Sequence, residues 1–126
     1  MSQDYIAGAC NIGPAEIKQR KTVAFIGLAL SIISLAYLIF SDSEKSARLT
    51  LIIPFAIFAI GFVQSRKKFC LAYGFLGTFN FGKLGKVSKV ADSAAKKADR
   101  ETAIKILLQS LFLALGLTLI AYLLPF

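Results

Sequence analysis

Ser65-Arg66-Lys67-Lys68-Phe69-Cys70-Leu71-Ala72-Tyr73-Gly74-Phe75-Leu76-Gly77-Thr78-Phe79-Asn80-Phe81-Gly82 separates stretches of sequence that are apolar enough to enter a bilayer. It opens on three consecutive bases, and a run of bases beside an apolar span resists translocation and fixes the side on which it lies. Aromatic residues then alternate with glycines, a pattern suited to a backbone that bends along a membrane interface, with Phe69, Tyr73, Phe75, Phe79 and Phe81 at headgroup depth. A phosphate-cradling glycine loop is not read here, because no strand precedes it and no Gly-Lys-Ser/Thr ends it.

Composition agrees with a membrane chain. At 126 residues there is room for one domain. The apolar fraction of 56% and mean hydropathy of +0.67 exceed the roughly 45–50% apolar content of soluble proteins. The net charge of +8 is unevenly placed. Lys18, Arg20 and Lys21 precede the first apolar run, only Lys45 and Arg48 follow it, offset by Asp42 and Glu44, and all other bases fall between Arg66 and Lys105. That asymmetry is a topology signal, and nucleic acid is not an expected partner because no soluble basic module is present. Neither a cleavable signal peptide nor a lipoprotein box is read, since no apolar segment precedes Ala7-Gly8-Ala9-Cys10.

Working outward, residues 1–21 form an N-terminal cytoplasmic segment, irregular to Gly13 and helical from Pro14. Proline at the first helical position loses no hydrogen bond, and Glu16 complements the helix dipole. The first span is residues 22–40. Residues 41–46 make a polar turn, and the second span, residues 49–64, carries Pro54, read as a kink. Residues 65–103 are a basic cytoplasmic or interfacial segment in which a helical pattern starts near Lys83. Asp92→Lys96 and Glu101→Lys105 are favourable pairs four apart, and Asp99 with Thr102 suggests a fresh N-cap and a break. The third span is residues 104–125. The expected fold is an all-α membrane protein of three transmembrane helices, with the N-terminus inside and the C-terminus outside.

Cys10 and Cys70 then share the inner face. They read either as a dithiol for a soft metal ion or as unrelated thiols packed as small hydrophobes. With two cysteines and no histidine, neither a disulfide framework nor a zinc site is indicated. Asn11, Tyr73 and Asn80 are expected on the same patch. Gly27 and Ser31 on the first span, and Ser110, Ala114, Thr118 and Ala121 on the third, are small residues of the kind that let helices approach. No ionisable residue lies within the middle of a span, which argues against an ion-coupled pump. No nucleophile–base pair can be assigned, so an enzyme is not expected, and the residues specify no cofactor.

Cys10-Asn11-Ile12-Gly13-Pro14-Ala15-Glu16-Ile17 and Phe69-Cys70-x-x-Tyr73-Gly74-x-x-Gly77-x-Phe79-Asn80-Phe81 resemble motifs of a group of small uncharacterised bacterial three-span membrane proteins. The resemblance implies a bacterial inner-membrane protein in which the two cysteine-bearing motifs belong together, and it implies no activity. The expected function is that of a structural or accessory subunit of a homo-oligomer or larger membrane complex. The alternative is a small oligomeric pore or a thiol-based metal-ion transporter using Cys10 and Cys70. Expected partners are the bilayer, further copies or other membrane subunits, and anionic lipid headgroups on the basic segment.

Overall fold

The computed structural model describes residues 5–82 and 87–125. Helix α1 is Pro14–Phe40, α2 is Ile52–Lys67, α3 is the short Leu71–Leu76 and α4 is Ser93–Leu123. A 3-10 turn, Lys45–Leu51, leads into α2, and the strands β1 (Thr78–Phe79) and β2 (Ser88–Lys89) pair antiparallel. Three helical segments are long and apolar enough to cross a membrane: α1 with 27 residues, residues 45–67 with 23 and α4 with 31.

Helix α2 lies between α1 and α4 and packs on both. Glycine sets the α1–α2 approach. A Cβ on Gly27 would overlap the backbone of Phe58, and one on Gly61 would lie 2.6 Å from the Ala24 nitrogen and 2.8 Å from the Arg20 oxygen. Only residues without a side chain fit at this separation. On α4 the stripe Ala103, Ile106, Ser110, Ala114, Thr118 and Ala121 is buried. The hydroxyls of Ser31 and Thr118 return to the carbonyls of Gly27 and Ala114, both at 2.7 Å, which removes the cost of burying them among apolar atoms.

Several expectations change. Residues 5–13 form no helix or strand, as expected, but they are tied down. They form a turn bridged between Ile6 and Cys10, and Ile12 makes a parallel bridge to Asn80. Pro54 is the third residue of α2, inside the first turn, where its missing N–H breaks no helical bond. The 3-10-to-α junction at Leu51–Ile52 precedes it, so no mid-helix kink is needed.

The helical pattern expected from Lys83 gives way to the β1–β2 pair, because Gly77 ends α3 in a left-handed conformation and its carbonyl accepts the Val90 N–H at 2.8 Å. Residues 83–86 of that pattern lie outside the described residues. Helix α4 then runs unbroken through Asp99 and Thr102. Its N-cap is Asp92, whose carboxylate accepts from the Ala95 N–H, so Asp92 is spent on capping rather than on Lys96. Among the described residues the one ion pair is Glu16–Arg20, and the Glu101→Lys105 pair does not close. Phe69 does not face outward but is fully buried, in a core with Val63, Ala103 and Ile106.

Candidate functional site

The start of α1, the end of α2, the helix α3 and the first turns of α4 meet at one end of the molecule, here called the basic end. Helix α4 is about 46 Å long at 1.5 Å per residue, against roughly 30 Å for a hydrocarbon core. The helix is thus longer than a span requires, and its first turns carry polar side chains into this region.

Asn11, completely buried, binds the two cysteine-bearing segments to each other. Its side-chain oxygen accepts the Cys70 N–H at 2.7 Å, its amide donates to the Cys70 carbonyl at 3.1 Å, and its own N–H donates to the Lys68 carbonyl at 3.3 Å. The arrangement depends on Lys68 ending α2 in the left-handed region at φ 55°, which turns Phe69 and Cys70 back under the helix. The Asn11 carbonyl accepts the Asn80 N–H at 2.9 Å, and the Asn80 carbonyl accepts the Gly13 N–H at 2.8 Å. Glycine is required at position 13, because a Cβ there would lie 2.8 Å from the Phe81 Cα.

Glu16 is the centre of the cluster, with 2% of its surface exposed. One carboxylate oxygen accepts from Arg20 Nη1 at 2.9 Å. The other accepts from the Tyr73 hydroxyl at 2.6 Å and the Asn80 amide at 3.0 Å. Arg20 also donates to Cys70 Sγ at 2.9 Å and sits over the Tyr73 ring. Burial opposes the Glu16 charge, but the hydrogen bonds from Tyr73 and Asn80 and the Arg20 cation outweigh it and hold the carboxyl below its ordinary pKa. The Tyr73 hydroxyl is pushed up to about 12 by burial and by its bond to Glu16.

A second brace ties the N-terminal turn to α4. Asp99, fully buried, accepts the Gly8 N–H at 2.7 Å and the Tyr5 hydroxyl at 2.6 Å, while the Thr102 hydroxyl donates to the Gly8 carbonyl at 2.6 Å. Burial and the bond to Asp99 raise the Tyr5 pKa. Asp99 and Thr102 thus hold the N–H and C=O of another segment instead of starting a helix. At the opposite end, Arg48 is buried rather than part of an exposed charge-balanced loop. Its guanidinium donates to the carbonyls of Ala121 and Leu124, at 2.9 and 3.2 Å, and satisfies the C-terminus of α4.

Among the sequence candidates, Asn11, Tyr73, Asn80 and Cys70 come together around Glu16 and Arg20. Cys10 borders them on an adjoining cavity with Lys68 and Phe81, and its Sγ lies 3.7 Å from the Ile12 carbonyl. Gly27 and Ser31 pack against α2, and Ser110, Ala114 and Thr118 are buried within the chain, so this stripe is not available to a partner. In the sequence Glu16 reads as a helix-dipole complement and Arg20 as a topology charge. Their spacing of four on one helix face was the available signal. Chemically the cluster is a neutralised ion pair closed by neutral donors, and the described residues contain no group of three or more metal-ligating side chains.

No family model, curated protein or solved structure matches the chain. Its class rests on its own features: a mainly helical chain with three helices apolar enough to cross a membrane, braced at one end by buried polar side chains.

Proposed function

We propose that the chain is a structural or accessory subunit of a bacterial inner-membrane assembly, with the basic end in the cytoplasm and the α4 C-terminus outside. The reading is carried by how little of the three spans is covered within the chain, 17%, 22% and 28% of their most apolar windows. Gly116 supports it: this residue is exposed on α4 and a Cβ there would meet nothing within 4 Å. A glycine on an outward helix face costs helical stability and permits a neighbouring helix to approach. The buried ionisable groups Glu16, Asp99 and Arg48 are engaged in bracing contacts near the helix ends, which suits a scaffold better than a conduit.

Extraction in mild detergents, with the mass of the particle measured directly, tests the proposal. An oligomer, or a fixed stoichiometry with other membrane subunits, is expected. A monomer that co-purifies with nothing in several detergents removes the basis for it. Orientation is tested with Cys10, which should react with an impermeant maleimide only after the inner face is opened.

The alternative, thiol-based metal-ion transport by Cys10 and Cys70, is supported by the Asn11–Cys70 pairing, which places the two cysteine-bearing segments in contact. Mild oxidation should then give an intramolecular disulfide in the native chain and none in Cys70→Ser. Failure to cross-link while both thiols still react in the unfolded chain eliminates this alternative.

A further inference from the structure

A cavity of about 400 Å³ opens between α1 and α2, lined by residues of these two helices alone. The two glycine contacts fix its vertical order. Gly61 sits against the Arg20–Ala24 turn and Gly27 against Ile57–Phe58, so the antiparallel helices bring residue 21 level with the end of α2. Lys21 and Arg66 therefore lie at the basic end of the groove, and Leu28 and Phe58 at the deep end, about 10 Å away at 1.5 Å per residue. Ala24 leaves room on the floor, and Phe25 forms one wall. Phe58 and Phe62 stack at 5.5 Å to form the other.

Arg66 does not extend away from the helix end. Its guanidinium folds back over the Phe62 ring, 5.8 Å from the centroid, which holds the charge at the mouth of the groove. Neither Lys21 nor Arg66 is engaged in an ion pair among the described residues. The combination is a mainly apolar groove of about 400 Å³ with two cations and the helical Ser65 at its basic end.

We infer that this groove is a binding site for one anionic phospholipid, with its phosphate between Lys21 and Arg66 and an acyl chain lying along Ala24 toward Phe58. The inference requires that the chain lie in a bilayer. It does not require the subunit reading, whose test is particle mass rather than lipid content.

Native mass spectrometry of the full chain, released from micelles containing equal phosphatidylglycerol and phosphatidylcholine with identical acyl chains, tests it. One retained phosphatidylglycerol is expected. Lys21→Gln/Arg66→Gln should weaken retention about thirtyfold, from the loss of two near-surface cations. The charge-preserving Lys21→Arg/Arg66→Lys chain should keep the lipid. So should Lys89→Gln/Lys97→Gln, which removes the same charge from exposed positions outside the groove. Glycerophosphoglycerol, the headgroup without acyl chains, should not be retained. Equal retention of the two lipids, or equal loss in the two glutamine variants, overturns the assignment in favour of general attraction between a basic protein and an anionic surface.

Discussion

Replacing Glu16 by glutamine tests whether the polar cluster holds the basic end together. On an exposed helix, a Glu–Arg pair four residues apart contributes about 0.3–0.5 kcal/mol. Glu16 is in a different situation, with three donors on a carboxylate that is 2% exposed and an Arg20 side chain that is 13% exposed. Glutamine keeps the shape and one acceptor oxygen for Tyr73 and Asn80, but it turns an NH₂ toward Arg20 Nη1. The lost charge-assisted bond is worth about 1.5–3 kcal/mol. Breaking a fully buried pair costs about 3–5 kcal/mol, an upper bound because Arg20 keeps Gln19 and some solvent. A cost of about 2–4 kcal/mol follows.

Cys70, 3% exposed and bonded to Arg20, reports opening of the cluster. In a Cys10→Ser background its maleimide labelling under native conditions should accelerate about 30- to 1,000-fold in Glu16→Gln, at 1.36 kcal/mol per decade. The denaturation midpoint in mixed micelles should fall in parallel, which separates opening from a purely local change at the sulfur. Because the folded pKa of Glu16 is depressed, its contribution is complete above the ordinary carboxylate value and lost as pH falls through the lower folded value. Glu16→Gln should therefore flatten that acid limb. An acceleration under about threefold, with the acid limb unchanged, would refute the reasoning and make Glu16–Arg20 an ordinary surface pair.

Tyr73 titrates near 12, so its contribution is complete below the ordinary phenol value near 10 and lost as pH rises between the two; Tyr73→Phe should remove one late component from the phenolate absorbance curve of the folded protein. Ala114→Leu should destabilise the chain itself by about 1–3 kcal/mol through overpacking in the buried α4 stripe, whereas Gly116→Leu should raise the helix's own stability by up to about 1 kcal/mol while altering particle mass. Arg48→Met should remove the guanidinium from the Ala121 and Leu124 carbonyls, leaving Ala121 only the Leu124 N–H at 3.4 Å, at about 1.5–3 kcal/mol, and hydrogen exchange should rise in the last turn of α4 while the basic end stays protected.

What could be read from the sequence divides along the bilayer itself. The spans were legible because their signal is additive: long apolar runs flanked by bases describe a helix in lipid whatever its neighbours are. Gly27 and the α4 stripe were legible as close-packing positions, but the sequence did not say that α2 is the neighbour of both. What escaped were the polar side chains near the ends of the spans. Glu16, Arg48 and Asp99 each had a sufficient local explanation, as dipole complement, loop charge and N-cap. In the fold each satisfies a group at least one element away, except for the Glu16–Arg20 bond, whose spacing was visible.

The same logic explains why the expected helix break at Asp99 failed. An Asp followed three residues later by Thr fits an N-cap when the donors that need satisfying are those of its own helix. Here α4 is already capped by Asp92, seven residues before Asp99. The donor in reach is Gly8, at the tip of a turn whose Ile6, Ala9 and Cys10 N–H groups are satisfied internally, and that turn packs against α4. A buried N–H without a partner costs about as much as a lost cap, so Asp99 serves the turn and the helix runs on. The polar residues of the basic end therefore act as caps for neighbouring segments. The two cysteine-bearing segments are held together because the Asn11 side chain closes the Cys70 backbone and the Asn80 N–H and C=O meet the Asn11 C=O and the Gly13 N–H, whether or not the sulfurs ever share a ligand.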